Sequence, residues 1–296
     1  MIQIEECPVC RSKSLNPVFK TTDCVVSGDS FGIVECGSCQ IRLTQPIPDE
    51  EEILSYYDSE DYISHSETTR GLINRLYAVV RKVMIVRKRK LAQSLGPSEP
   101  GKLLEIGCGA GAFLNGMNQS GWEVLGIEPD ERIRDAVRAR YGLAVVSPEE
   151  WFSQPESSYD VITLWHVLEH LHNLDDYLRK ISTSLEDDGV LIVAVPNYYS
   201  YDAEYYQSRW AAYDVPRHLY HFTYKSLTEL LKHHGLTVTA IRRLPFDAFY
   251  VSMLSEKYKE GFTARGLLIG LISCLKAFIN VRRSSSIICI AEHKNP

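Results

Sequence analysis

The sequence predicts an α/β protein in which a small cysteine-bearing module precedes a mostly parallel sheet. Three observations predict it. Beyond residue 100, strand-like and helix-like stretches alternate, the pattern of a parallel sheet with right-handed crossovers. The first of these strands, Leu103-Leu104-Glu105-Ile106, stops at a glycine-dense turn, Gly107-Cys108-Gly109-Ala110-Gly111, with helix-compatible Ala112-Phe113-Leu114 behind it. Two C-x-x-C pairs, Cys7/Cys10 and Cys36/Cys39, stand before residue 40.

Composition bounds the rest. A chain of 296 residues, 45% hydrophobic and 24% charged, is long enough for two domains and reads as globular. A formal charge of −6 argues against a specific nucleic-acid partner. The N-terminus MIQIEECPVC has neither the basic nor the apolar region of a secretory signal, and no apolar run reaches the ~20 residues a span needs. The expected location is cytoplasmic. Eight cysteines there should not form a disulfide framework.

In order, the two C-x-x-C knuckles are separated by 25 residues and offer four thiolates to one tetrahedral, structural zinc ion, Zn2+. The rival, a redox pair, lacks a βαβ pattern around it. Between the knuckles, β-branched runs broken by Ser-Gly-Asp-Ser predict a hairpin, with Cys24 as a strand residue. Residues 1–66 are taken as the zinc-binding module, its exit acidic. No acid occurs from Thr68 to Ser98, against eight Lys and Arg between Arg70 and Lys90. Apolar residues at 72, 76, 79, 83 and 86 recur at helical spacing. Residues 67–98 are therefore expected to form a basic linker helix with that stripe packed on the next domain, residues 99–296.

There, strands are expected at 102–106, 123–127, 143–146, 160–165, 189–195, 236–244 and 286–292. Helices are expected to about 119 and over 130–140, 148–151, 174–185, 225–234 and 264–280. The last two strands should form a hairpin-like return, and 197–223 should be irregular. That region carries seven tyrosines, which argues for an ordered wall rather than disorder. The run 266–281 is the most apolar stretch. A helix packed over the sheet edge or in a dimer is favoured. Peripheral contact with a membrane is the alternative, since Arg265, Lys276, Arg282 and Arg283 flank it.

The glycine turn selects the ligand. Its spacing is G-x-G-x-G, not the G-x-G-x-x-G of dinucleotide folds. Glu105, inside the strand, suits a cationic amino group better than a pyrophosphate. Glu128 ends the second strand 17 residues past Gly111, where an acid grips ribose hydroxyls in nucleotide folds. Amino group and ribose without phosphate describe S-adenosylmethionine. On these two motifs the sequence resembles the class I S-adenosylmethionine-dependent methyltransferases. That resemblance implies a Rossmann-like seven-stranded sheet of order 3-2-1-4-5-7-6. It also implies a cofactor site of Glu105, Gly107, Cys108, Gly109, Gly111, Phe113, Glu128, Pro129, Trp165 and His166.

Strand four exits at Trp165-His166-Val167-Leu168-Glu169-His170. The run also reads as the inverted zincin pattern H-x-x-E-H, which needs both histidines one turn apart on a continuous helix. The Glu169-His170 pair resembles that of ubiquinone-pathway and small-RNA O-methyltransferases. There the pair and a later histidine can hold a divalent ion beside the acceptor hydroxyl; here His166 stands in place of the family's first acid. The four-cysteine module ahead of this fold resembles bacterial deoxysugar C-methyltransferases and relatives with surface-polysaccharide roles. Of their Tyr-His-Glu-His segment only the last histidine, His218, is matched.

These resemblances imply a methyltransferase acting on a small or carrier-linked hydroxylated acceptor, such as a sugar or surface-polysaccharide precursor. His218 is the expected base, with Glu169 and His170 beside it. The metal version groups Glu169, His170 and His218 or His221 around one ion. The alternative function is a non-catalytic, cofactor-binding scaffold that uses the zinc module for partner contacts. A monomer or a homodimer fits equally.

Overall fold

A computed structural model describes residues 1–57, 72–155 and 158–293, with side chains from residue 79 onward in the first helix. The boundary expected at 66–67, Arg70, and the side chains at 72 and 76 lie outside the described residues.

The N-terminal segment forms an antiparallel meander of β1 (Leu15–Thr22), β2 (Ser30–Cys36) and β3 (Arg42–Gln45). The turn between β1 and β2 is folded by Asp23, whose carboxylate accepts from the backbone N–H groups of Val25, Val26 and Ser27. Cys24 lies in this turn and is exposed, not in a strand as expected.

α1 (Leu72–Leu95) carries the basic run. Its packed face is not the expected one. Val79, Val83 and Val86 are exposed, while Met84, Leu91, Ala92 and Leu95 meet the core. Positions 84, 88, 91, 92 and 95 share one helical face, so Lys88 points inward.

The larger sheet follows the predicted alternation. Its elements are β4 (Lys102–Ile106), α2 (Ala112–Asn118), β5 (Glu123–Ile127), α3 (Glu131–Tyr141), β6 (Val145–Val146), α4 (Pro148–Ser153), β7 (Tyr159–Trp165), α5 (Leu174–Ser184) and β8 (Leu185–Pro196). α6 (Tyr201–Tyr206), β9 (Tyr220–His221), α7 (Tyr224–His233), β10 (Leu236–Arg243), α8 (Asp247–Tyr258), α9 (Thr263–Ile279) and β11 (Ser286–His293) complete the chain. The seven strands run β10-β11-β8-β7-β4-β5-β6. Counted along the chain, that is 6-7-5-4-1-2-3, the expected order read from the other edge. β4 to β8 pair parallel, and β11 is antiparallel to both neighbours.

Two regions differ from expectation. β10 and β11 pair antiparallel, but a helical hairpin, α8 and α9, is inserted between them. The helices meet at Gly266 and Gly270, where an added Cβ would come within 2.7 Å of the Met253 and Phe249 Cα atoms. Region 197–223 is not irregular throughout. It contains α6, two 3-10 turns and β9, which pairs with β3 through Arg42↔His221 and Leu43↔Tyr220.

That pairing ties the N-terminal meander to the loop after β8. Arg217, 1% exposed, fastens the same joint by donating to Asp23 and Asp214 and to the Tyr56 carbonyl. Cys7, Cys36, Cys39, Ile41 and Leu43 share one apolar cluster with Leu104, Ile106, Leu164 and Val193 of the sheet. The N-terminal segment and the sheet therefore share a core. Each large side chain fully buried there contributes about 1.5–3 kcal/mol. No helix among the described residues is long and apolar enough to cross a membrane.

Candidate active site

The glycine turn sits where β4 gives way to α2. Gly107, Gly109 and Gly111 have φ of 70°, 50° and 70°, all left-handed. A Cβ at Gly107 would come within 2.4 Å of Val167, and one at Gly111 within 2.7 Å of Val137, so packing forbids side chains there. A Cβ at Gly109 would meet nothing within 4 Å. Its face of the loop is open, as a ligand-facing glycine should be.

Two acids flank this opening. Glu105, 4% exposed in β4, keeps one carboxylate oxygen without a hydrogen-bond partner among the described residues. Burial pushes its carboxyl up to about 8, against the pull of Lys88. An orphaned acid beside an open glycine fits a ligand ammonium. Glu128, just past β5, accepts from the N–H groups of Gly109 and Asp130, and burial raises its pKa. The next residue, Pro129, has its carbonyl bound by Arg134. Cys108 is buried behind the loop, where a Cβ on Gly126 would meet its sulfur at 2.8 Å, which agrees with a choice for size.

Beside the turn Phe113 and Trp165 stack edge to face, 5.6 Å between centroids. Lys88 of α1 lies 4.6 Å over Trp165. It is a site residue that sequence reasoning passed over. Its signal was there: it occupies the helical spacing of Met84, Leu91 and Leu95, an odd place for a cation.

After Trp165 the chain turns sharply, with His166 at φ 60°. Residues 168–170 form a single 3-10 turn, so no continuous helix carries the H-x-x-E-H pattern. His166 Nδ1 stands 3.4 Å from Glu169, and Nε2 stands 3.3 Å from Asp247 at the start of α8. Burial opposes its charge, but these two carboxylates outweigh that and push it to about 9. Asp247 was also missed, because α8 itself was.

Glu169 is fully buried, and its partner is the His166 imidazole in the ion pair just described. Burial works against its charge, but His166 and the other nearby histidines hold its carboxyl below the usual range. His170 Nδ1 lies 2.9 Å from the Arg217 carbonyl and 3.0 Å from the Tyr57 hydroxyl. His218 Nδ1 lies 2.9 Å from the Ala212 carbonyl. A carbonyl can only accept, so both Nδ1 atoms carry a proton, and in the neutral form of either ring Nε2 is the atom with the lone pair. His218 Nε2 stands 3.9 Å from the Asp214 carboxylate. The two rings meet edge to face at 4.6 Å. One ligand atom from each of Glu169, His170 and His218 falls within 4.8 Å of the others. Burial, helped by His218, lowers His170 to about 4 and keeps it neutral. His221 does not join this group. It faces Thr44 of β3 at 3.0 Å, and burial holds its pKa well below the usual range.

The four cysteines converge as their spacing requires. Cys7 and Cys39 sulfurs are 3.4 Å apart, Cys10 and Cys36 3.5 Å, and all four lie within 4.8 Å of one another. Tetrahedral zinc with bonds of about 2.3 Å places sulfurs roughly 3.8 Å apart. The cluster is compatible with zinc.

A family model described as a methyltransferase domain matches residues 80–241, more than half of the chain. The chain belongs to the methyltransferase domain family. Among curated relatives of this methyltransferase domain is the ubiquinone biosynthesis O-methyltransferase of Pelagibacter ubique. It is 27% identical over 123 residues, covering 39% of this chain and 50% of the relative. The human mitochondrial ubiquinone biosynthesis O-methyltransferase is 26% identical over 164 residues, covering 50% of this chain and 44% of the relative. The chain thus spans about half the length of the curated relatives it matches.

Solved structures agree on the fold. Magnesium protoporphyrin IX methyltransferase from Synechocystis, with bound S-adenosylhomocysteine, superposes with a TM-score of 0.56 at 12% identity, covering 83% of this chain and all of that one. The Burkholderia thailandensis 1,6-didemethyltoxoflavin-N1-methyltransferase gives 0.52 at 15% identity, covering 95% and 100%.

Proposed function

We propose that this chain transfers the methyl group of S-adenosylmethionine to the hydroxyl of a small or carrier-linked acceptor. The observation that carries this reading is the open face of Gly109 between two buried acids, one of them with an orphaned oxygen. Glu105 would hold the cofactor's ammonium, Glu128 its ribose hydroxyls, and Phe113 and Trp165 would wall the cleft. The sulfonium is already activated, so the protein's work is to align the reactants and exclude water. An acceptor hydroxyl attacks only as its proton leaves. Neutral His218 would take that proton on Nε2, 3.9 Å from the Asp214 carboxylate, which would stabilise the charge formed.

The acceptor is proposed only at the level of a hydroxyl. The curated relatives named above are ubiquinone O-methyltransferases, and a sugar finds no support among them.

A second reading is favoured by the grouping of Glu169, His170 and His218. With both imidazoles held by backbone carbonyls and Glu169 beside them, these residues fit a divalent cation that would compete with His166 for the carboxylate. Such a cation would lower the acceptor hydroxyl's pKa.

The test is S-adenosylhomocysteine release over a panel of catechols, phenols and hydroxylated sugars. His218→Ala should lose about 100-fold or more in turnover, with cofactor affinity unchanged. If the cation is used, EDTA abolishes turnover and Mg2+ or Mn2+ restores it. Full activity of His218→Ala on a true acceptor would exclude both roles.

A further inference from the structure

α9 lays one face on α8 through Gly266 and Gly270 and turns the other outward. Leu267, Leu271, Leu275, Phe278 and Ile279 form a single exposed apolar stripe, with Phe278 73% and Ile279 88% exposed. The formal charges in this stretch are positive: Arg265, Lys276, Arg282 and Arg283, the last paired with Glu204 of α6, with no acid between Gly261 and Ala291.

The same pattern continues on α1. Arg243, at the end of β10, lies 4.2 Å over the Phe278 ring. Three residues on, Phe246 sits 5.7 Å under Arg87 of α1. There Val79, Val83 and Val86 are exposed, flanked by Lys82 and Arg87, on a helix without an acid. The acid next to Phe246, Asp247, is turned inward onto His166. A chain of formal charge −6 has thus gathered cations around outward-facing apolar side chains on two helices.

We propose that the outer face of α9, with Arg243, Phe246 and the exposed cations of α1, docks this protein on an anionic lipid surface. An amphipathic helix flanked by arginines and lysines lies in the headgroup plane, with its apolar stripe inserted and its cations on lipid phosphates. A second copy of this chain fits less well. A two-fold interface sets a patch on itself, and cations would then face cations. A neutral bilayer offers these cations no net counter-charge. The proposal does not depend on which acceptor is methylated.

Flotation of the full chain with vesicles tests it. Binding is expected to vesicles of phosphatidylcholine mixed with phosphatidylglycerol, not to phosphatidylcholine alone, and should weaken as salt rises. Leu271→Glu with Phe278→Glu should cost about tenfold or more in partitioning, as should Lys82→Glu, Arg87→Glu and Arg265→Glu together. S-adenosylhomocysteine affinity unchanged from the parent identifies folded variants. The charge variants lie on exposed positions and keep the test open if the apolar pair misfolds. Absent binding, or equal and salt-independent binding to neutral vesicles, would overturn the proposal. So would a dimer that Leu271→Glu with Phe278→Glu dissociates, in a protein that ignores vesicles.

Discussion

Gly107 and Gly111 are glycines because Val167 and Val137 leave no room for a Cβ, whereas Gly109 faces open space. Its left-handed φ of 50° favours glycine by itself, and no neighbouring side chain adds to that, as expected if the open face receives a ligand. In Gly109→Val the side chain would stand in the cleft on a backbone at φ 50°, a conformation that costs a β-branched residue about 1–2 kcal/mol. Calorimetry should find S-adenosylmethionine affinity reduced at least about tenfold. Glu105 yields a prediction in pH. The folded protein holds its proton up to about 8, the unfolded chain only to the ordinary 4.5. Across that window the folded state binds the extra proton, so stability falls as pH rises. Without cofactor, Glu105→Gln should therefore gain in melting temperature over the parent from about pH 5 to about pH 8. A constant difference would show that Glu105 titrates normally. Both residues were legible because G-x-G-x-G and a lone acid in an apolar strand are local signals. Lys88 was hidden as one of eight similar cations.

At the level of elements, the sequence disclosed those that repeat a pattern and concealed those that do not. The seven strands of the large sheet came through as apolar runs. α8 did not, although its buried positions, 248, 251, 252, 255 and 256, are spaced as a helix face should be. They are Ala, Val, Ser, Ser and Glu, too polar to register as apolar periodicity. β9 is two residues long, and its partner β3 lies some 180 positions earlier, so no local window contains the pair. What holds that joint is the buried Arg217 between Asp23 and Asp214. Burial works against the Asp23 carboxylate, but Arg217 and the turn's N–H groups hold it below its usual range. Arg217→Ala would strand Asp23, fully buried, without its cation. Denaturant unfolding should show a loss of roughly 3–5 kcal/mol, the cost of breaking a buried pair from one side. A loss typical of surface pairs would show that water reaches the joint.

Over the whole molecule, the N-terminal segment closes the catalytic side of the sheet rather than standing beside it. Thr44 of β3 donates to the His218 carbonyl and faces His221, so the meander fixes the backbone that carries the proposed base. Val9, between two of the cysteines, accepts from His233 of α7, and Cys7, Cys36 and Cys39 lie in the core shared with the sheet. A zinc ion on these thiols would thus act at a distance on His218. The cofactor loop shares that core only through β4 and β5 and is held directly by hydrogen bonds to the Ile127 carbonyl and Glu128, so it would feel the ion less. This separation is measurable. Metal analysis should find one zinc per chain. Cys36→Ser should lower the melting temperature and lose about tenfold or more in turnover, because a closed zinc site contributes folding energy directly. Cofactor affinity of the variant, measured below its melting temperature, should stay near that of the parent. Equal losses of cofactor affinity and turnover would show that the meander and the glycine loop unfold as one unit. A zinc-free protein with unchanged melting would remove the metal from the account, leaving the four cysteines as ordinary members of the core.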